Sequence, residues 1–233
     1  MAGKLYGVGV GPGDPMLMTV KAVKTIEKCP VYAVPSSGKE QSVAYQIASE
    51  MVDLSDKQCI EIEMPMTKDR EKLAEAHKKG ADMLRKILDQ GKDVAMLTLG
   101  DPTVYATYIY MHKEVAALGY ETEIINGVPS FCAAAARLNI PLTEKAQQLH
   151  VIPASYQIED ALKFQGTKVF MKAGSKMGAL KERLIKEEHE KGTRIYMVEN
   201  CGMEQESFCE GALSMNEQAG YYSIVICKEK STE

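Results

Sequence analysis

Leu5-Tyr6-Gly7-Val8-Gly9-Val10-Gly11-Pro12-Gly13-Asp14-Pro15 is an apolar run that breaks off into a turn of glycine, proline and aspartate. It reads as a buried strand with a sharp turn at its carboxyl end. The pattern recurs once, where Val94-Ala95-Met96-Leu97-Thr98-Leu99 runs into Gly100-Asp101-Pro102. Glycine lets a backbone approach a ligand closely, aspartate suits a helix N-cap, and proline fits the first helical position. One such turn is ordinary punctuation before a helix. Two of them at strand ends of one domain point to a site, because open α/β sheets collect ligands outside the carboxyl ends of their strands.

Working outward, the hydrophobic period switches repeatedly between strand and helix. Leu17, Val20, Val23 and Ile26 form a helical stripe that stops before Cys29-Pro30, and Val31 to Val34 reads as the second strand. A helix over 43–51, a strand near 59–62 and a long helix over 69–90 lead to the second turn. This alternation predicts a parallel sheet. The pattern restarts with a strand over 121–125, a helix over 130–138, strands over 149–152 and 167–172, a helix over 180–189 and a strand over 194–198. No helical pattern separates the last runs, 206–209 and 221–227, which predicts an antiparallel hairpin between them. The fold class is therefore α/β in two domains: residues 1–118 with a mostly parallel sheet and residues 119–233 with a mixed sheet.

The chain has 233 residues, 45% of them hydrophobic and 26% charged, and a formal net charge of −4. A mildly acidic chain lacks the basic face that nucleic-acid phosphates require. No apolar stretch reaches the roughly 18 to 20 residues that span a bilayer, and Met1-Ala2-Gly3-Lys4 leads into a strand rather than a signal peptide. A cytoplasmic protein without nucleic-acid or membrane partners is expected. The six cysteines show no C-x-x-C pair and the four histidines no ligand spacing, so no metal site is expected. Most thiols lie in apolar surroundings, as Cys132 does in Phe131-Cys132-Ala133-Ala134, and are expected in the core of a protein from a reducing compartment. A dinucleotide fingerprint fails: Pro12 and Asp14 fall where the third glycine belongs, and no acid ends strand two to hold a ribose. Asp14 at a helix start also repels a pyrophosphate, whereas a cationic or zwitterionic cofactor tolerates it.

Tyr6 to Pro15, Leu99-Gly100-Asp101-Pro102-Thr103-Val104-Tyr105 and Gly127-Val128-Pro129-Ser130-Phe131 together resemble the tetrapyrrole methylases, the class III S-adenosylmethionine-dependent methyltransferases. The resemblance runs from about Leu5 to Cys227. It implies a cofactor cleft between the two α/β domains, a homodimer, S-adenosylmethionine as methyl donor and a small-molecule tetrapyrrole as substrate. Carried over by position, it implies cofactor contacts at Pro12, Gly100, Asp101, Pro102, Thr103, Tyr105, Ser130, Phe131 and Met171. Two departures stand out: Asn126 replaces the proline usual before Gly127, and Pro129 replaces a hydroxyl residue before Ser130. A carboxylate-rich macrocycle calls for local positive charge, and Lys68, Arg70, Arg137, Lys172 and Lys176 form the pool expected to supply it. Asp101, on the shared rim, is the candidate for assisting proton loss from the methylated carbon; the alternative is that it caps a helix and binds cofactor. The ring carbon methylated rests on the loop 64–69 and on Thr103-Val104-Tyr105 alone, so a relative acting at another carbon, such as uroporphyrinogen-III C-methyltransferase, is the nearest rival.

Overall fold

The computed structural model describes residues 1–36, 42–65, 67, 69–154 and 158–229. The chain divides into two compact units, Met1–Pro129 and Ser130–Glu233.

In the first unit β1 (Leu5–Gly9) is followed by a 3-10 turn at Pro15–Leu17 and by α1 (Val20–Lys28). Then come β2 (Val31–Ser36), α2 (Val43–Met51), β3 (Gln58–Glu63), α3 (Arg70–Leu88), β4 (Val94–Thr98), α4 (Tyr108–Ala117) and β5 (Thr122–Ile125). The five strands form one sheet in the order β3-β2-β4-β1-β5, and every pairing is parallel. Alternation along the strands splits the core into two layers. Tyr6, Val8 and Val10 pack with Ala22, Ile26, Ile47, Ala95 and Leu97 on the α1/α2 face. Leu5, Val94 and Met96 pack with Leu84, Leu88, Tyr108 and Met111 on the α3/α4 face. Gly7 also faces that second layer: a Cβ there would lie 2.1 Å from the Tyr108 ring, so glycine is what lets the ring lie on the sheet.

The chain leaves β1 by α1 on one face and leaves its neighbour β4 by α4 on the other, so the carboxyl ends of these adjacent strands are a topological switch point. Because β5 pairs with β1 in register from Leu5↔Thr122 to Val8↔Ile125, the unit closes after β5. The boundary expected at residue 118 thus falls beyond this strand instead of ahead of it. Its pairing partner lies more than a hundred residues back, out of reach of a local reading.

The second unit comprises α5 (Ser130–Arg137), β6 (Leu149–Pro153), α6 (Ile158–Ala161), β7 (Thr167–Met171), α7 (Met177–Lys191), β8 (Arg194–Glu199), β9 (Ser207–Glu210) and β10 (Ser223–Lys228). Its sheet is mixed, in the order β6-β7-β10-β8-β9; β6 and β7 are parallel and the other pairs antiparallel. Here the expected hairpin is corrected. β9 pairs with β8, and β10 crosses to lie between β7 and β8, so the two last runs flank β8 and do not meet. The reason is burial. All six residues of β10 are buried, which suits the centre of a sheet, whereas Ser207 and Phe208 are exposed on the edge. The cysteines also divide differently from expectation: Cys29, Cys201 and Cys227 are buried, but Cys59 and Cys132 are exposed. On α5 the buried residues are Phe131, Ala133, Ala134 and Ala135, which turns Cys132 and Ala136, one helical turn apart, outward.

Candidate functional site at the strand ends

Three turns of the first unit converge where β1, β4 and β5 end. Beyond their strands, Gly11 and Gly100 form an isolated bridge, with Gly100 N–H donating to Gly11 C=O at 2.7 Å and Gly11 N–H to Gly100 C=O at 3.3 Å. Both residues have positive φ, +79° and +70°, a region in which an L side chain is strained. The third turn presses against Gly100 and the end of β1. A Cβ on Gly127 would lie 2.2 Å from the Gly100 carbonyl oxygen and 2.8 Å from the Gly9 carbonyl carbon. The three backbones are in contact with no room for a side chain.

Asp14 behaves as the turn predicts: its carboxylate accepts from Met16 N–H at 2.8 Å, and Pro15 takes the first position of the 3-10 turn. Asp101 does not. No helix begins there, since α4 starts at Tyr108, and the aspartate is 5% exposed. One carboxylate oxygen accepts from Thr103 N–H at 2.8 Å and from the Thr103 hydroxyl. The other accepts from Gly127 N–H at 3.0 Å and Asn126 Nδ2–H at 3.1 Å. Burial pushes its pKa up, but the bonds from Thr103, Asn126 and Gly127 more than offset this and hold the carboxyl below its ordinary value. A carboxylate with four donors and a depressed pKa is a poor proton acceptor. The geometry makes Asp101 a clamp between the β4 and β5 turns, and it caps no helix.

Pro12, Pro102, Thr103 and Tyr105 lie in or just past the β1 and β4 turns. Pro12 and Pro102 are buried in their turns, Thr103 is exposed apart from its bonds to Asp101, and Tyr105 is 45% exposed with φ +49°, an uncommon backbone state for an aromatic residue. Arg70 lies exposed at the start of α3, and Lys68 lies outside the described residues. In the second unit, Ser130 and Phe131 open α5, with Phe131 buried. Met171 ends β7, half-buried, and the next residue, Lys172, has φ +55° and its ammonium 5.5 Å from the centre of the Tyr221 ring. Lys176 is exposed at the end of the 3-10 turn Gly174–Lys176. Arg137 is already engaged. It forms a salt bridge with Glu206 and stacks over Phe208 at 4.8 Å, both within its own unit.

Two residues of the rim escape a reading of the sequence by motif. Thr19 caps α1, accepting from Ala22 N–H at 3.1 Å, and its hydroxyl donates to the Asn126 carbonyl at 3.3 Å. The signal for Asn126 is its departure from the proline usual before Gly127.

A parallel sheet with a switch point at close-packed glycine turns, joined in sequence to a second mixed-sheet unit, defines a two-unit α/β protein with a candidate ligand site at the strand ends of its first unit. The family model described as Tetrapyrrole (Corrin/Porphyrin) Methylases matches residues 4–215, and the chain belongs to that family. It is 36% identical over 229 residues, 97% of this chain and 96% of the relative, to a probable cobalt-precorrin-2 C(20)-methyltransferase of Methanocaldococcus jannaschii. It is 30% identical over 189 residues, 79% of this chain and 78% of the relative, to the cobalt-precorrin-2 C(20)-methyltransferase of Salmonella typhimurium. Among solved structures, the fold is shared with uroporphyrin-III C-methyl transferase from Thermus thermophilus complexed with S-adenyl homocysteine, with TM-score 0.71 and 18% identity over 97% of this chain and 98% of that one.

Proposed function

We propose that the protein transfers a methyl group from S-adenosylmethionine to C(20) of precorrin-2, in its cobalt-bearing or metal-free form, during assembly of the corrin ring. The observation that carries this reading is the 36% identity sustained over 97% of the chain with a relative named for that activity. The matched 229 residues span both units.

The rim fits such a donor on two counts. Its glycines leave backbone, not side chains, facing the strand ends, which suits a ligand that packs closely. Its buried carboxylate is anionic, which suits a cationic sulfonium and disfavours a nucleotide phosphate. When bound, S-adenosylmethionine supplies an already activated methyl group on its sulfur. The protein's own work is then mostly positional. The turns at Gly11, Gly100 and Gly127 would cradle the donor beside Pro12, Pro102, Thr103 and Tyr105; Ser130, Phe131 and Met171 are the second unit's own candidate contacts, taken from the family resemblance. Arg70, Arg137, Lys172, Lys176 and Lys68 are the pool of cations for the carboxylates of the ring, Arg137 being the one that also pairs with Glu206.

Among the described residues no helix is long and apolar enough to cross a membrane. The reading carries with it a cytoplasmic homodimer, for which sedimentation is the direct measurement. The test of the activity is incubation with methyl-labelled S-adenosylmethionine and reduced precorrin-2, with and without cobalt, and carbon NMR of the product. Label at C(20) is the expected result. Label at another ring carbon overturns the assignment while keeping the family.

A further inference from the structure

Resting on the methyl-transfer reading above, we infer that Asn126 is a positioning residue for the donor site: it ties the β5 turn to the β4 turn and to the start of α1. Three bonds support this. Its side-chain amide donates to Asp101 Oδ2 at 3.1 Å, which links the β5 turn to the β4 turn. Its carbonyl accepts from Thr19 Oγ1 at 3.3 Å, which links the β5 turn to the segment that follows the β1 turn. The N–H of the next residue, Gly127, donates to the same carboxylate oxygen that the amide reaches. Asn126 is the node at which these connections meet.

A second feature argues that the node serves the ligand and not folding alone. Asn126 is exposed, although it is flanked by buried Ile125 and Gly127, whereas the carboxylate it holds is buried. An exposed amide adds little to a hydrophobic core. At the mouth of the rim it holds the Asp101 carboxylate toward Gly127 and so fixes the approach of Gly127 to the Gly100 carbonyl. The amide is also a neutral donor to an anion. A carboxyl in its place would face Asp101 as a like charge unless it carried a proton. The charged groups nearest in sequence, Glu123 with its partners Lys4 and Lys21, are already paired.

The test is calorimetric binding of S-adenosylhomocysteine to the whole protein and to Asn126→Ala and Asn126→Asp, at pH 8 and pH 5.5, with thermal denaturation alongside. A lost bond to a charged group predicts about tenfold weaker binding by Asn126→Ala at both pH values. The carboxyl introduced by Asn126→Asp repels Asp101 when ionised and donates to it when protonated. Binding should therefore be about tenfold weaker at pH 8 and recover toward that of the parent at pH 5.5. A merely structural residue would lower the melting temperature in the variants while leaving the affinity for S-adenosylhomocysteine unchanged. If both variants bind as the parent does at both pH values, or if Asn126→Asp binds equally weakly at both, the inference is wrong. A parent protein that fails to bind S-adenosylhomocysteine overturns instead the methyl-transfer reading on which it rests.

Discussion

Gly127→Ala is the sharpest probe of the rim, because everything its new methyl group meets is backbone. The Cβ would lie 2.2 Å from the Gly100 carbonyl oxygen, 2.8 Å from the Gly9 carbonyl carbon and 2.9 Å from the Gly9 Cα. None of these atoms can rotate away. Gly9 is held in β1, and Gly100 is held by its bonds to Gly11. Overpacking of side chains costs about 1–3 kcal/mol, and a clash with three tethered backbone atoms belongs at the upper end. The contact is relieved only by pushing the β5 turn outward, which also lengthens the bond from Gly127 N–H to Asp101. About 3 kcal/mol corresponds to a fall in melting temperature of roughly 6–12 °C for a chain of this size. The assay is thermal denaturation by circular dichroism beside calorimetric binding of S-adenosylhomocysteine, with Gly178→Ala as the control. Nothing lies within 4 Å of a Cβ at Gly178, inside α7, so that variant should melt at or slightly above the parent. If Gly127→Ala melts with the control and binds the ligand as the parent does, the three turns are not packed as described and the reasoning fails.

Gly100→Val tests the same rim through conformation: a β-branched residue at φ +70° is disfavoured, so ligand binding should be lost while far-UV circular dichroism stays close to that of the parent. Unchanged affinity would take the β4 turn out of the site. Arg137→Gln should lower thermal stability, since it leaves Glu206 without its partner, yet leave the KM for the macrocycle unchanged; a raised KM with unaltered melting would make Arg137 a contact of the macrocycle. Glu123 is held by hydrogen bonds from Lys4 and Lys21, which bring its pKa down to about 2. A folded pKa below the unfolded one gives stability that is present above about pH 4.5 and is lost as pH falls toward 2. Glu123→Gln should therefore flatten the acid limb of the stability profile of the first unit, and an acid limb identical to the parent's would mean that the pair contributes nothing there.

What the sequence made legible is what short range determines. The strand runs ending at Gly11 and Gly100, the Asp14-Pro15 turn and the amphipathic face of α3 each follow from residues within one or two turns of one another. β5 was visible as a strand but not as the edge of the first sheet, because its partner is β1. β10 was likewise visible as a strand, yet its place between β7 and β8 depends on which strand is central, and that is decided by burial over the whole sheet. At the site, the glycines announced themselves and the partners of the charged groups did not. Arg137 reads as a free cation until Glu206, 69 residues away, is brought beside it. Asp101 reads as an acid or a cap until Asn126 and Gly127, 25 and 26 residues on, fill one of its oxygens.

That last difference bears on the mechanism. A methyl donor that arrives activated leaves the enzyme mainly the task of holding two reactants in line, and effective molarity of that kind accounts for about 7–11 kcal/mol when the alignment is good. An anionic Asp101 that shuttled a proton would have to break some of its four bonds in each turnover, loosening the Gly100 and Gly127 turns at the moment alignment matters. Held ionised by Thr103, Asn126 and Gly127, it would instead keep those turns fixed. Asp101→Asn separates the two roles. The amide keeps one acceptor oxygen but turns its NH2 group toward donors, so ligand affinity should fall together with turnover. A general base lost by the same substitution would leave affinity intact and lower kcat alone. Calorimetry and steady-state kinetics on that single variant decide between them, and intact binding with a collapsed kcat would restore Asp101 as the base.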